Sequence, residues 1–72
     1  MTISSESAKE IARTGVDMEL TPDCNYSSDS VKAIVKIVKD NGRHIVVHAR
    51  SLSSDGLKDI ARLGGSHVTI AI

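Results

Sequence analysis

The chain has 72 residues, enough for one small domain and too few for a second. Its nine basic and nine acidic residues balance, which argues against a protein that binds nucleic acid or a membrane through net positive charge. With one tyrosine and no phenylalanine or tryptophan, the core has to be built from aliphatic side chains.

The first predicted unit is a helix followed by a strand. Ser4 is placed to cap the helix, because its hydroxyl can accept a hydrogen bond from an amide of the first turn. An apolar stripe at helical spacing follows: Ala8, Ile11 and Ala12. Gly15 is expected to end the helix, and residues 18–21 form the first strand.

The second predicted unit repeats this pattern with a longer helix. Ser27 takes the capping position, Gly42 ends the helix, and residues 45–48 read as a strand. Four more residues separate the apolar stripe from the closing glycine than in the first unit. Four residues are about one helical turn, so the insertion lengthens the helix without rotating its apolar face.

The third predicted unit has the clearest pattern. Ser53 is the cap, and Gly64 and Gly65 stop the helix. The apolar stripe consists of Leu57, Ile60 and Ala61. Residues 67–72 alternate with period two and are rich in β-branched side chains, which predicts a strand.

The three units predict an α/β domain over residues 1–72, with repeats at about 3–21, 26–49 and 52–72. The caps at 4, 27 and 53 give periods of 23 and 26 residues, typical of stacked repeats. Three strands, each preceded by a helix, should form a parallel sheet with right-handed crossovers. We expect the strand order 1-2-3 with all helices on one face.

Alternation along the strands supports a sheet that is covered on one side. The residues expected to face the helices are Met18, Leu20, Ile45, Val47, Val68, Ile70 and Ile72. Those expected to face outward are Glu19, Thr21, Val46, His48, Thr69 and Ala71. The alternative order 2-1-3, a three-layer sandwich, would need these outward positions to be apolar.

A one-sided parallel sheet needs a cover. Parallel sheets are almost always covered on both faces, and an exposed hydrophobic edge strand invites pairing. The sequence therefore predicts that the outward positions or the last strand bind a protein partner, with a homo-oligomer favoured.

The serine-serine-acid caps, the Ile-Ala stripe, the glycine stop and the Val-Thr-Ile strand resemble short helix-strand repeats of uncharacterised bacterial proteins. More distantly, the pattern resembles the curved α/β solenoids of the leucine-rich-repeat class, although the asparagine ladder of that class is absent. The resemblance implies a binding or scaffold role and carries over no catalytic residue.

Two other arrangements suggest chemistry. Asp17, His44 and His67 each precede the first core residue of a strand, so in a parallel sheet they would form one row of potential metal ligands. Polar residues are also simply common after a helix stop, and a solvated edge is the favoured interpretation. Cys24 is a second candidate, with His48 as the base that a nucleophilic thiol requires.

Two charged features have structural explanations. The acids after the three caps occupy the positive helix ends and would repel a phosphate. A basic strip on the second helix consists of Lys32, Lys36, Lys39 and Arg43. Because no aromatic residue accompanies it to stack bases, we expect a solvated face and not a nucleic-acid site.

The sequence favours a structural or protein-interaction module over an enzyme, with no cofactor. A small metal-binding or thiol enzyme is the alternative. The single cysteine and the absence of a signal segment or long apolar run predict a cytoplasmic protein.

Overall fold

The computed structural model describes residues 3–22, 25–49 and 52–72. Within them three helices alternate with three strands: α1 (Ser5–Arg13), β1 (Met18–Leu20), α2 (Ser28–Asp40), β2 (Ile45–His48), α3 (Ser54–Gly64) and β3 (Val68–Ala71). The strands form one parallel sheet in the order β1-β2-β3. The predicted α/β fold and strand order are confirmed, and the order 2-1-3 is wrong.

Each helix begins at the predicted serine cap. The cap hydroxyl accepts a hydrogen bond from a backbone amide three residues later: Ser4 from Ser7, Ser27 from Ser30, and Ser53 from Gly56. Each helix is followed by a glycine with positive φ: Gly15 at 86°, Gly42 at 70° and Gly65 at 56°. These two signals, a hydroxyl acceptor and a residue tolerant of positive φ, set the ends of all three helices.

The second helix is longer by the length that the sequence predicts. α1 has 9 residues and α2 has 13, a difference of four residues or about one turn. Because a whole turn preserves the direction of the apolar stripe, α2 still packs against both α1 and α3.

The core lies between the helices and one face of the sheet. Leu20, Ile45 and Val47 are buried beneath the helices, whereas the alternate strand residues Glu19 and Val46 are exposed and half-buried. From the helices the core receives mainly Ile34, Val35, Val38 and Ile60. The helices therefore cover one face of the sheet, and the other face is open.

The third strand is shorter than predicted. Residues 65–67 form a 3₁₀ turn, so β3 begins at Val68 and not at His67. Ile72, expected to face the helices, is fully exposed. The pairing of β2 with β3 ends at His48 and Ala71, so Ile72 lies beyond the sheet and the expectation was wrong.

None of the helices in the described residues is long and apolar enough to cross a membrane.

Candidate functional site

The open sheet face is formed by the outward residues of the three strands. Glu19, Val46 and Thr69 are register partners across β1, β2 and β3, and His48 is the partner of Ala71. Glu19 and Thr69 are exposed, whereas Val46, His48 and Ala71 are half-buried even though no helix covers them. The sixth predicted residue, Thr21, directly follows β1 and is exposed. We call these six residues the open face.

His48 connects the first two strands of the open face. Its ring Nε2 lies 2.9 Å from the Glu19 carboxylate Oε2, a hydrogen bond that becomes an ion pair when the imidazole is protonated. The carboxylate side chain is 60% exposed and the imidazole 25% exposed, so the pair lies at the solvent boundary. Such an exposed pair contributes little to stability, but it fixes the direction of both side chains.

His44 connects the second and third strands of the same face. Its ring Nε2 lies 2.6 Å from the Thr69 hydroxyl. The sequence pattern predicts His44 as a member of the metal row and not of the open face. The signal that could have found it is the strand period, because His44 lies two residues before Val46 and therefore on the same side.

The three residues of the predicted metal row are engaged separately. The Asp17 carboxylate accepts a hydrogen bond from the backbone amide of His44 at 2.9 Å. The His67 ring Nδ1 lies 2.9 Å from the backbone carbonyl of Arg43, and the His44 ring points to Thr69. Across residues 3–22, 25–49 and 52–72, no three histidine, cysteine or acidic side chains come together as a metal site.

Of the two residues of the predicted thiol site, the structure describes only His48. Cys24 lies outside the described residues, so its distance from His48 is undetermined. The Nε2 atom of His48 is already hydrogen-bonded to Glu19. The thiol enzyme therefore stays a prediction.

The basic strip of α2 is partly used in packing against the third repeat. Lys32 forms an ion pair with Asp59 at 3.3 Å, and Lys39 donates a hydrogen bond to the backbone carbonyl of Leu63 at 3.1 Å. Lys36 and Arg43 are exposed. Two of the four cations therefore hold α3 in place, in line with a structural explanation of the strip.

A shallow pocket lies at the carboxyl ends of β2 and β3. Its volume is about 450 Å³, and it is lined by Pro22, His48, Ala49, Ala71 and Ile72. Ligands of α/β sheets usually bind at this end of the strands. The lining, however, offers one polar side chain, His48, and that group is engaged by Glu19.

Comparison of the chain with protein-family models, curated proteins and solved structures gives no match.

Proposed function

We propose that this protein is a structural repeat module that associates with a second copy of itself through the open face. The observation that carries the proposal is a parallel sheet with helices on one side only. Parallel sheets are almost always covered on both faces, because the crossover connections between parallel strands usually place helices there. A second sheet, packed about 10 Å away, would supply the missing layer.

The polar groups of the open face support this role. Glu19 is hydrogen-bonded to His48, and His44 to Thr69. A polar group that is already paired loses less on removal from water than an unpaired one, since its hydrogen bond survives burial. The centre of the face is Val46, which is half-buried and apolar. These two hydrogen bonds can persist when the open face is covered, which lowers the cost of removing their side chains from water.

The distribution of charge favours a second copy in one arrangement. Asp17 and Glu19 lie on or next to β1, whereas the open-face residues of β3, Thr69 and Ala71, carry no charge. A twofold axis along β2 would place β1 of one copy over β3 of the other and bring the two Val46 side chains together. This arrangement keeps the carboxylates of the two copies apart and lays them over an uncharged strand.

The size of the open face sets the expected affinity between the two copies. Specific interfaces of standard size involve about 20–30 residues on each side. The open face offers six outward residues and their immediate neighbours, so the pair should be weak, with a Kd in the micromolar range or above. Such a pair forms only at high local concentration, as in an assembly of many copies.

We further propose that the module works in the cytoplasm. The support is its single cysteine, which allows no internal disulfide.

Val46→Lys tests the contact surface. The substituted residue lies opposite Glu19 in the sheet register, so the introduced cation has a partner in the monomer and the fold should persist. In the twofold pair the two introduced cations would meet at the axis. Asp40→Lys is the control for added positive charge, because it raises the net charge by two where Val46→Lys raises it by one, and it does so at the exposed C-terminal end of α2, where the helix dipole favours a cation.

The measurement is a dilution series of the ¹⁵N-labelled protein followed by two-dimensional NMR, which reports each residue separately. We expect the amide shifts of Val46 and His48, both on the central strand, to change with concentration in the natural protein and in Asp40→Lys. These changes should disappear in Val46→Lys. Shifts at positions 46 and 48 that do not depend on concentration, or that change equally in Val46→Lys, would refute the proposal.

A further inference from the structure

The three helices have equivalent sequences but unequal burial. Counting from the caps Ser4, Ser27 and Ser53, the seventh residue is an isoleucine in every repeat. Ile34 and Ile60 are both 0% exposed, whereas Ile11 is 42% exposed. The seventh position is thus buried in α2 and α3, each of which has an earlier helix beside it, and it is open in α1.

The eighth residue after the cap shows the reverse pattern. Ala12 and Val35 are 0% exposed, whereas Ala61 in α3 is exposed. This position is buried in the two repeats that have a later helix beside them. In each repeat, therefore, the seventh position faces the preceding helix and the eighth faces the following one.

The two ends of the stack consequently expose complementary halves of one repeat interface. The end formed by α1 and β1, the leading end, exposes Ile3, Ile11 and Val16, three of the four large exposed hydrophobic residues in the described part of the chain. The end formed by α3 and β3, the trailing end, exposes Ala61 and part of Leu57. Leu57 is equivalent to Val31, which is buried between α2 and its neighbours.

Charged residues are complementary in the same register. Inside the molecule, Lys32 at the fifth position of the second repeat pairs with Asp59 at the sixth position of the third, 3.3 Å apart. The equivalent residues at the two ends are Lys58 on the trailing end and Glu10 on the leading end. Both are exposed, and they have the charges that would reproduce this ion pair between two copies.

Small residues also correspond at the two ends of the stack, at the point where the N-terminal ends of neighbouring helices approach each other. A Cβ built on Gly56, the third position of the third repeat, would lie 3.3 Å from the Cβ of Ser28, the first position of the second repeat. The corresponding residues on the ends are Ser54 and Ser7. Serine fits at both positions, because Ser5 and Ser30 occupy them between the first and second repeats.

We propose that the trailing end of one copy stacks on the leading end of the next, repeating the contact between the second and third repeats. β3 of one copy would pair in parallel with β1 of the next, and Ile11 would cover Ala61 and Leu57. Such a head-to-tail contact joins unlike surfaces, so it generates an array of more than two copies, open or closed into a ring, and not a twofold dimer. The array uses the ends of the stack and does not depend on the open face.

Sedimentation velocity over a concentration series tests the stacking, with Val46→Lys as the parent so that contacts through the open face do not contribute. The expected result is a mass that rises beyond two copies with concentration. Adding Ile11→Lys should weaken the association roughly tenfold or more, since it places an unpaired cation in an apolar contact. A parent that stays monomeric at about 1 mM, or an Ile11→Lys variant that associates like the parent, would overturn the proposal.

Charge reversal gives a second test that leaves the core untouched. Glu10→Lys alone and Lys58→Glu alone should each weaken the association roughly two- to fivefold, the effect of an exposed ion pair. An equimolar mixture of the two variants should associate more tightly than either variant alone and recover more than about half of the parent association constant, because the unlike contacts, half of those possible, join opposite charges. A mixture that associates no better than either variant alone would contradict the head-to-tail register.

Discussion

Among the glycines of the chain, Gly64 leaves the least room for a side chain. It is the last residue of α3 and is buried. A Cβ at this position would lie 2.7 Å from Val68 Cγ1 and 3.0 Å from Val35 Cγ1, distances at which atoms overlap. Its φ of −81° and ψ of −31° suit any residue, so the requirement for glycine comes from packing and not from backbone conformation.

We therefore expect Gly64→Ala to lower the free energy of unfolding by about 1–3 kcal/mol, the usual cost of overfilling a core. Urea denaturation followed by circular dichroism measures this change. The double variant Gly64→Ala with Val68→Ala should lose less than the sum of the two single changes, because removing the valine methyls makes room for the new one. A Gly64→Ala protein as stable as the natural one would show that the neighbours move aside at no cost.

The histidines show that the sequence predicts the face of the sheet on which a residue lies but not its side-chain contacts. Strand alternation correctly placed His48 on the open face, and the same rule, applied to His44, would have placed it there too. The alternation does not reveal that His48 binds Glu19 or that His44 binds Thr69. In both cases the histidine contacts a residue of the neighbouring strand that lies two positions away from its direct register partner. Those contacts depend on side-chain rotamers, which the pattern of residue types does not specify.

At the scale of the elements, the serine caps set where the helices begin. Ser27 is the cap of the longest helix, and its hydroxyl accepts a hydrogen bond from the amide of Ser30 at 3.3 Å. Ser27→Ala removes the acceptor and leaves that amide without its side-chain partner. We expect a loss of about 1 kcal/mol in the free energy of unfolding, measured by urea denaturation.

Two substitutions control this test. Ser27→Asn keeps a side-chain oxygen at the cap and should retain most of the stability. Ser66→Ala removes a serine hydroxyl from the exposed 3₁₀ turn, away from the three serine N-caps, and should change stability by less than about 0.5 kcal/mol. Equal losses in Ser27→Ala and Ser66→Ala would mean that capping contributes nothing here.

The elements were the most predictable part of the fold, because caps, glycine stops and periodicity are local signals. They located all three helices, the extra turn of α2 and the strand order. The burial of individual stripe residues was not predictable in the same way. Ile11 and Ile34 occupy the same place in the same pattern, and only the stacking of the helices decides that Ile11 is 42% exposed and Ile34 is not exposed at all.

The 3₁₀ turn at residues 65–67 also could not be predicted from the local sequence pattern. Residues 67–72 alternate as a strand should, yet His67 is held in the turn, where its ring contacts the Arg43 carbonyl. That contact joins residues that are 24 positions apart in sequence. A tertiary contact of this kind overrides the local preference for extended structure.

At the scale of the whole molecule, one core spans all three repeats, so we expect the domain to unfold as a unit. For 72 residues the usual range of stability gives roughly 4–11 kcal/mol. Ile34 lies in the middle of that core and is 0% exposed. A small change at this residue should therefore destabilise the first repeat as well as the second.

Ile34→Val should lower the free energy of unfolding by about 0.5–1.5 kcal/mol, because it removes one buried methyl group. Ile11→Val is the matched control, the same substitution at the equivalent and partly exposed position, and in the monomer it should cost much less. The single tyrosine gives a local probe, since the Tyr26 hydroxyl donates to the backbone carbonyls of Ile3 and Ser4 at the start of the first repeat. Tyrosine fluorescence and circular dichroism should give the same shifted midpoint for Ile34→Val. Midpoints that separate would mean that the first repeat unfolds on its own, and that the three repeats do not form one cooperative unit.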